Sequence, residues 1–179
     1  MNKETVTILY KLDEGGKTPV KLGDPTDAGY DIYASSDPII VGDECEFRGE
    51  FGDPIYYSID YIQYHTGLYI EPAIKDKHIR IDLRPRSSIS KYWLTLCNTP
   101  ATIDHTYGGE ILVRFRPIFQ PYQIKYIDYY GYTSTLNMDK IYKKGDRICQ
   151  ALIEYTKDIK WVEVDEIDNN RSGFGSTGN

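Results

Sequence analysis

The chain has 179 residues, 40% of them hydrophobic, and a formal net charge of −6. That length suits one domain, the acidic balance argues against direct nucleic-acid binding, and no apolar run is long enough to span a bilayer as a helix. Met1-Asn2-Lys3-Glu4-Thr5 lacks the basic-then-apolar pattern of a signal peptide. Cys45, Cys97 and Cys149 form an odd set with no Cys-x-x-Cys pair, which gives neither a disulfide framework nor a structural zinc site. A reducing cytoplasm is the expected setting.

In chain order, the apolar rhythm is mainly of period two. Val6, Ile8 and Tyr10 alternate with Thr5, Thr7 and Leu9; Ile79, Ile81 and Leu83 with Arg80, Asp82 and Arg84; Ile111, Val113 and Phe115 with Leu112, Arg114 and Arg116. A further apolar-rich run extends from Ile148 to Tyr155. These predict strands. Nine prolines break the chain at intervals and deny any long helix. One short helix, capped by serine, is expected at Ser87 to Trp93. The fold class is all-β, a barrel or double sheet of many short strands. The 17 tyrosines are ascribed mainly to β-propensity. Two stretches, 43–64 and 117–139, lack clean alternation and read as insertions, each a candidate surface hairpin. The second holds six tyrosines or phenylalanines.

Five segments carry chemistry. Asp27-Ala28-Gly29-Tyr30-Asp31 sets a carboxylate beside a glycine at a turn. Arg84-Pro85-Arg86-Ser87-Ser88 offers cations, hydroxyls and N–H donors at a helix start, a geometry suited to phosphate or to a plain N-cap. Asn98 to Gly109 reads as a β-hairpin whose mouth exposes backbone groups, with Asp104 as a candidate general base and Tyr107 as a flat surface. Gly145-Asp146-Arg147-Ile148-Cys149-Gln150 begins with a turn; Arg147 is expected to pair with a carboxylate, and the Gln150 amide must find partners in a buried strand. Arg171-Ser172-Gly173-Phe174-Gly175-Ser176-Thr177-Gly178-Asn179 is too glycine-rich for regular structure. It holds a cation, a ring, hydroxyls and amides that can close over a phosphorylated, ring-bearing ligand.

In this order the five segments resemble the motifs of the homotrimeric dUTPase family, with a phage or bacterial member in view. The resemblance implies a jelly-roll-like β-barrel over residues 1–165 and a flexible C-terminal arm over 166–179. It implies hydrolysis of dUTP to dUMP and pyrophosphate with Mg²⁺, in sites built by three subunits. By the same resemblance Asp104 activates water, and Gln150 sits near the α-phosphate. Arg86, Ser87 and Ser88 bind phosphate. Asn98, Thr102 and Ile103 belong to the uracil-reading segment. Tyr107 packs under deoxyribose, and Asp31 holds water on the metal. Phe174 stacks on the base, Gly175, Ser176 and Thr177 cradle the γ-phosphate, and Arg171 stands as the arm's cation. Two alternatives share the scaffold. A regulatory protein would use the 117–139 segment to bind a protein partner. A dCTP deaminase would need a glutamate where this chain has Arg114.

Overall fold

In the computed structural model, residues 7–49, 52–72, 79–127, 129–157 and 159–163 are described. The strands are β1 (Ile8–Leu12), β2 (Tyr30–Tyr33), β3 (Ile39–Arg48), β4 (Pro54–His65), β5 (Leu68–Pro72) and β6 (Ile79–Arg84), followed by β7 (Leu94–Leu96), β8 (Ala101–Asp104), β9 (Leu112–Pro117), β10 (Ile124–Ile127), β11 (Gly131–Thr135) and β12 (Arg147–Tyr155). Short 3₁₀ turns at Ser87–Lys91, Pro121–Gln123 and Met138–Lys140 are the only helical elements among the described residues. The all-β expectation is met.

Every strand pair is antiparallel, and the strands form three sheets. The largest is built on β4, with β3 along one edge. Along the other edge β11 meets Ile55 and Tyr56, and β9 meets Ile62 to His65. A four-stranded sheet has the order β2-β12-β6-β8, and β1 pairs with β5. The core lies where the inward faces of the two larger sheets meet. In β6 the buried Ile79, Ile81 and Leu83 alternate with outward side chains, and in β9 Val113 and Phe115 do the same after Ile111. Burying a side chain such as Phe115, fully enclosed here, contributes about 1.5–3 kcal/mol.

A cluster of aromatic rings ties the core to the later chain. Tyr64 meets Phe115 and Tyr142 edge-on, at 5.7 and 6.2 Å between centroids, and its hydroxyl donates to the Tyr142 carbonyl at 2.9 Å. Burial pushes the Tyr142 phenol up to about 12. Tyr142 thus packs from its loop position into the core just before Gly145 turns the chain into β12. Gly145 has φ +87°, a left-handed conformation that glycine adopts without strain.

Three local expectations are corrected. Tyr10 is half-exposed, because β1 pairs only with β5 and lies at the margin of the core. No serine side chain caps the turn at 87–91; Arg86 holds the N-cap position, and Ser90 Oγ donates to the Ser87 carbonyl instead. The segment from Asn98 to Gly109 is not a hairpin: β8 pairs with β6 while β7 pairs with β9, so residues 97–100 form a corner between sheets. Asn98 makes that corner with φ +51°, which asparagine tolerates better than most residues. Pro100, lacking an N–H, cannot extend a ladder.

The described residues of 43–64 lie along β3 and β4, whose far part enters the core through Ile62 and Tyr64. Residues 117–139 include the β10–β11 hairpin, which adds to the edge of the same sheet.

Candidate active site

Two groups of functional side chains are built by the four-stranded sheet, on opposite sides of β6. The first is centred on Asp31 in β2. Pairing places Gln150 of β12 directly opposite Asp31 on one side and opposite Arg84 on the other. The Asp31 carboxylate accepts from Arg86 Nε at 2.6 Å through Oδ1 and from Arg147 Nη1 at 3.0 Å through Oδ2. Arg86 also donates from Nη1 to Ser88 Oγ at 3.0 Å. The Asp31 side chain is 13% exposed and that of Arg86 21%, so the bond between them is largely sheltered from solvent, whereas Arg147, 40% exposed, reaches Asp31 from the solvent side.

Gln150 Nε2 points toward the Pro85 carbonyl at 3.4 Å. The Gly29 backbone lies close against the same side chain: a β-carbon at position 29 would come within 2.6 Å of Gln150 Oε1. A larger residue at position 29 would therefore push the Gln150 amide from its present position.

These groups open onto a cleft of about 470 Å³, where Lys21, Arg86 and Arg147 outnumber the carboxylates Asp27 and Asp31. A chain of net charge −6 thus concentrates positive charge at one spot, suited to an anion with several oxygens. Ser87 lines the cleft, and Ser88 lies behind Arg86.

The second group sits on β8 and the loop after it. β8 is the edge strand of its sheet, so backbone donors and acceptors on its outer side lack a ladder partner and can pair with a planar ligand's polar edge. Ile103 packs inward against the core. Thr102 Oγ1 donates to Asp82 Oδ1 at 2.9 Å. Asp82 is buried on the sheet's outer face, where Arg80 and Arg84 flank it at 3.4 and 3.6 Å; alternation alone would have left it in solvent. Asp104 ends β8 with an exposed carboxylate that makes no ion pair with another described residue. Tyr107 follows, 43% exposed, and lines a second cavity of about 640 Å³ with Tyr10, Tyr69 and the half-buried His105. Asn98 is exposed at the corner before β8.

The two groups do not meet within one chain. Asp104 pairs with Arg80 across one edge of β6, and Gln150 with Arg84 across the other. Two strand spacings and four residues of rise separate their Cα atoms by about 16 Å. Arg171, Phe174, Gly175, Ser176 and Thr177 lie outside the described residues.

Sequence reasoning named Asp31, Arg86, Ser87, Ser88 and Gln150 around the first cleft and Asn98, Thr102, Ile103, Asp104 and Tyr107 around the second, but not Lys21, Asp82 or His105. It expected a carboxylate partner for Arg147 without naming Asp31, because that pairing joins residues 116 apart. It did not find Glu110, whose side chain bonds the β4–β5 turn: no local pattern marks a contact across more than 40 positions.

Fold and clusters together describe an all-β barrel with a cation-bearing cleft at one edge of its four-stranded sheet. The deoxyuridine 5'-triphosphate nucleotidohydrolase of Finegoldia magna is 36% identical to this chain over 117 residues, 63% of this chain and 68% of that protein. The protein of the same name from Wolbachia pipientis of Culex pipiens is 28% identical over 99% of both chains. Among solved structures, the dUTPase of phage phi11 of S. aureus, described with a coordinated structural Mg(II) ion, matches with a TM-score of 0.59 at 19% identity, over 91% of this chain and 99% of that one. No family model matches the chain. The chain belongs to the deoxyuridine 5'-triphosphate nucleotidohydrolase (dUTPase) family.

Proposed function

We propose that this protein hydrolyses dUTP to dUMP and pyrophosphate by attack of water on the α-phosphate, which limits uracil in DNA and supplies dUMP for dTMP synthesis. The observation that carries the reading is the pair of guanidiniums, Arg86 and Arg147, locked on Asp31 beside Gln150 at a cleft. Fixed donors aimed at phosphate oxygens stabilise charge that builds during phosphoryl transfer, with no reorganisation at the moment of reaction.

Asp104 takes the proton of the attacking water; its exposed carboxylate is free of competing cations among the described residues. Gln150 orients the α-phosphate and that water. The edge of β8 from Thr102 to Asp104, with Asn98, reads the uracil, and the Tyr107 ring lies under the deoxyribose. The arm from Arg171 to Thr177 closes the site.

Mg²⁺ is the metal of this reading. The described residues hold no cluster of His, Cys, Asp or Glu able to cage a metal, and Asp31 is committed to two guanidiniums. Such a donor set fits an ion that arrives on the triphosphate and keeps its waters, to which the remaining lone pairs of Asp31 offer acceptors. When bound, the ion supplies charge neutralisation on the phosphate oxygens.

The separation of Asp104 from Gln150 favours a site shared between copies, and a homotrimer is the proposed assembly. Asp104→Asn and Arg86→Ala chains should each be nearly inactive alone. Denatured together and refolded as a mixture, they should regain activity in roughly a quarter of sites by random assortment. Persistent inactivity of mixed oligomers would mean that each site is made by one chain.

No helix among the described residues is long and apolar enough to cross a membrane; the proposed setting is the cytoplasm, that of the host for a phage-encoded chain. Deamination is disfavoured: Arg114 occupies the position where a catalytic glutamate would be needed, and its guanidinium is held by Gln63 at 2.9 Å and over the Tyr61 ring at 4.3 Å. A second role, binding a protein partner through 117–139, is favoured by Tyr122, Tyr126, Tyr129 and Tyr132, which stand at least 64% exposed around one hairpin.

A further inference from the structure

Tyr107 is held at its hydroxyl. Tyr107 Oη donates to the Glu110 carbonyl at 2.8 Å, although the ring is 43% exposed. The Gly109 backbone lies under the phenol so closely that a β-carbon there would come within 2.7 Å of Oη.

Glu110, in turn, is clamped through its side chain. Oε1 accepts from the backbone N–H of Thr66 at 3.1 Å and of Gly67 at 2.8 Å, and Oε2 bonds His65 Nδ1 at 2.8 Å. The next residue is fixed to the same turn: Thr66 Oγ1 donates to the Ile111 carbonyl at 2.6 Å, and the Ile111 N–H donates to the Leu68 carbonyl at 2.8 Å. A single carboxylate, 19% exposed, therefore ties the segment carrying Tyr107 to the β4–β5 turn.

We infer that Glu110 is a positioning residue for Tyr107 and thereby sets the preference for a deoxyribose over a ribose substrate. The inference rests on the dUTPase reading. A ring excludes a 2′-hydroxyl only by occupying its space, and it does so only if it cannot retreat. The bond to the Glu110 carbonyl removes that freedom, the clamp to Thr66, Gly67 and His65 fixes the carbonyl, and Gly109 lets the phenol reach it. Loss of the clamp lets the ring swing aside and admits the larger sugar.

The test compares kcat/KM for dUTP and for UTP in the wild type and in Tyr107→Phe, Glu110→Ala and Glu110→Gln. In Tyr107→Phe and Glu110→Ala the dUTP/UTP ratio should fall about tenfold, the scale of a one-group discrimination. In Glu110→Gln it should return toward the wild-type value, because the amide oxygen still accepts from the turn and the amide nitrogen can donate to His65. A purely structural role would lower both rates together and leave the ratio alone. Tyr107→Phe keeps the ring and decides the matter should Glu110→Ala fail to fold. Wild-type turnover of dUTP with an unchanged ratio in Tyr107→Phe overturns this inference alone. No wild-type turnover of dUTP overturns the parent reading, and the inference with it.

Discussion

Asp104→Asn should yield a folded protein that still binds dUTP but turns it over at least about 10²-fold more slowly. Asparagine keeps the size and planar shape of the side chain and removes its basicity. The substitution costs little in the fold: Asp104 stands at the exposed end of edge strand β8 and holds no ion pair among the described residues. The backbone bond that shapes the following turn, from the Tyr107 N–H to the Asp104 carbonyl, is independent of the side chain. The loss should therefore fall on kcat, with the thermal midpoint unchanged. Single-turnover measurements separate the chemical step from product release; a wild-type rate in that step would remove Asp104 from the mechanism.

Deletion of residues 171–179 should have a comparable effect on turnover and little on the barrel. Glycine carries no side chain to bury, whereas Arg171, Phe174, Ser176 and Thr177 carry charge, a ring and hydroxyl donors that one ligand could use together. Losing them at once should reduce kcat/KM by roughly 10²-fold or more, since closure also excludes water and strengthens every remaining contact. Circular dichroism and the oligomeric state should match the full chain. Arg171→Ala alone should cost about one to two powers of ten if that cation meets the γ-phosphate, which corresponds to one charge-assisted bond. Full activity of the truncated chain would place the ligand's closure elsewhere.

The alternation in β6 and β9 was legible in the sequence because both strands have one face in the core, and a period of two then has a single solution. In β1 the same rhythm misled, since an outlying pair with β5 leaves Tyr10 in solvent. The segment around Asn98 carried turn residues, but these do not say which strands pair afterwards. The exchange of β7 and β8 between sheets depends on Leu83, Arg116 and other residues remote in sequence.

The site was legible as residues and not as geometry. Asp31, Arg86, Arg147 and Gln150 each stood out by type and neighbourhood, yet only strand pairing shows that they share one cleft. Only the width of β6 and its flanking strands shows that Asp104 stands some distance away. Glu110 and His65 were invisible, because their bond joins the end of β4 to a loop 45 positions away.

The most direct measurement is product formation from dUTP, dCTP, dTTP and UTP in parallel, with Mg²⁺ and with excess chelator. The account predicts dUMP and pyrophosphate from dUTP in a metal-dependent reaction, little product from the other three nucleotides, and no ammonia from dCTP. Ammonia release from dCTP, or turnover of UTP comparable with that of dUTP, would contradict it.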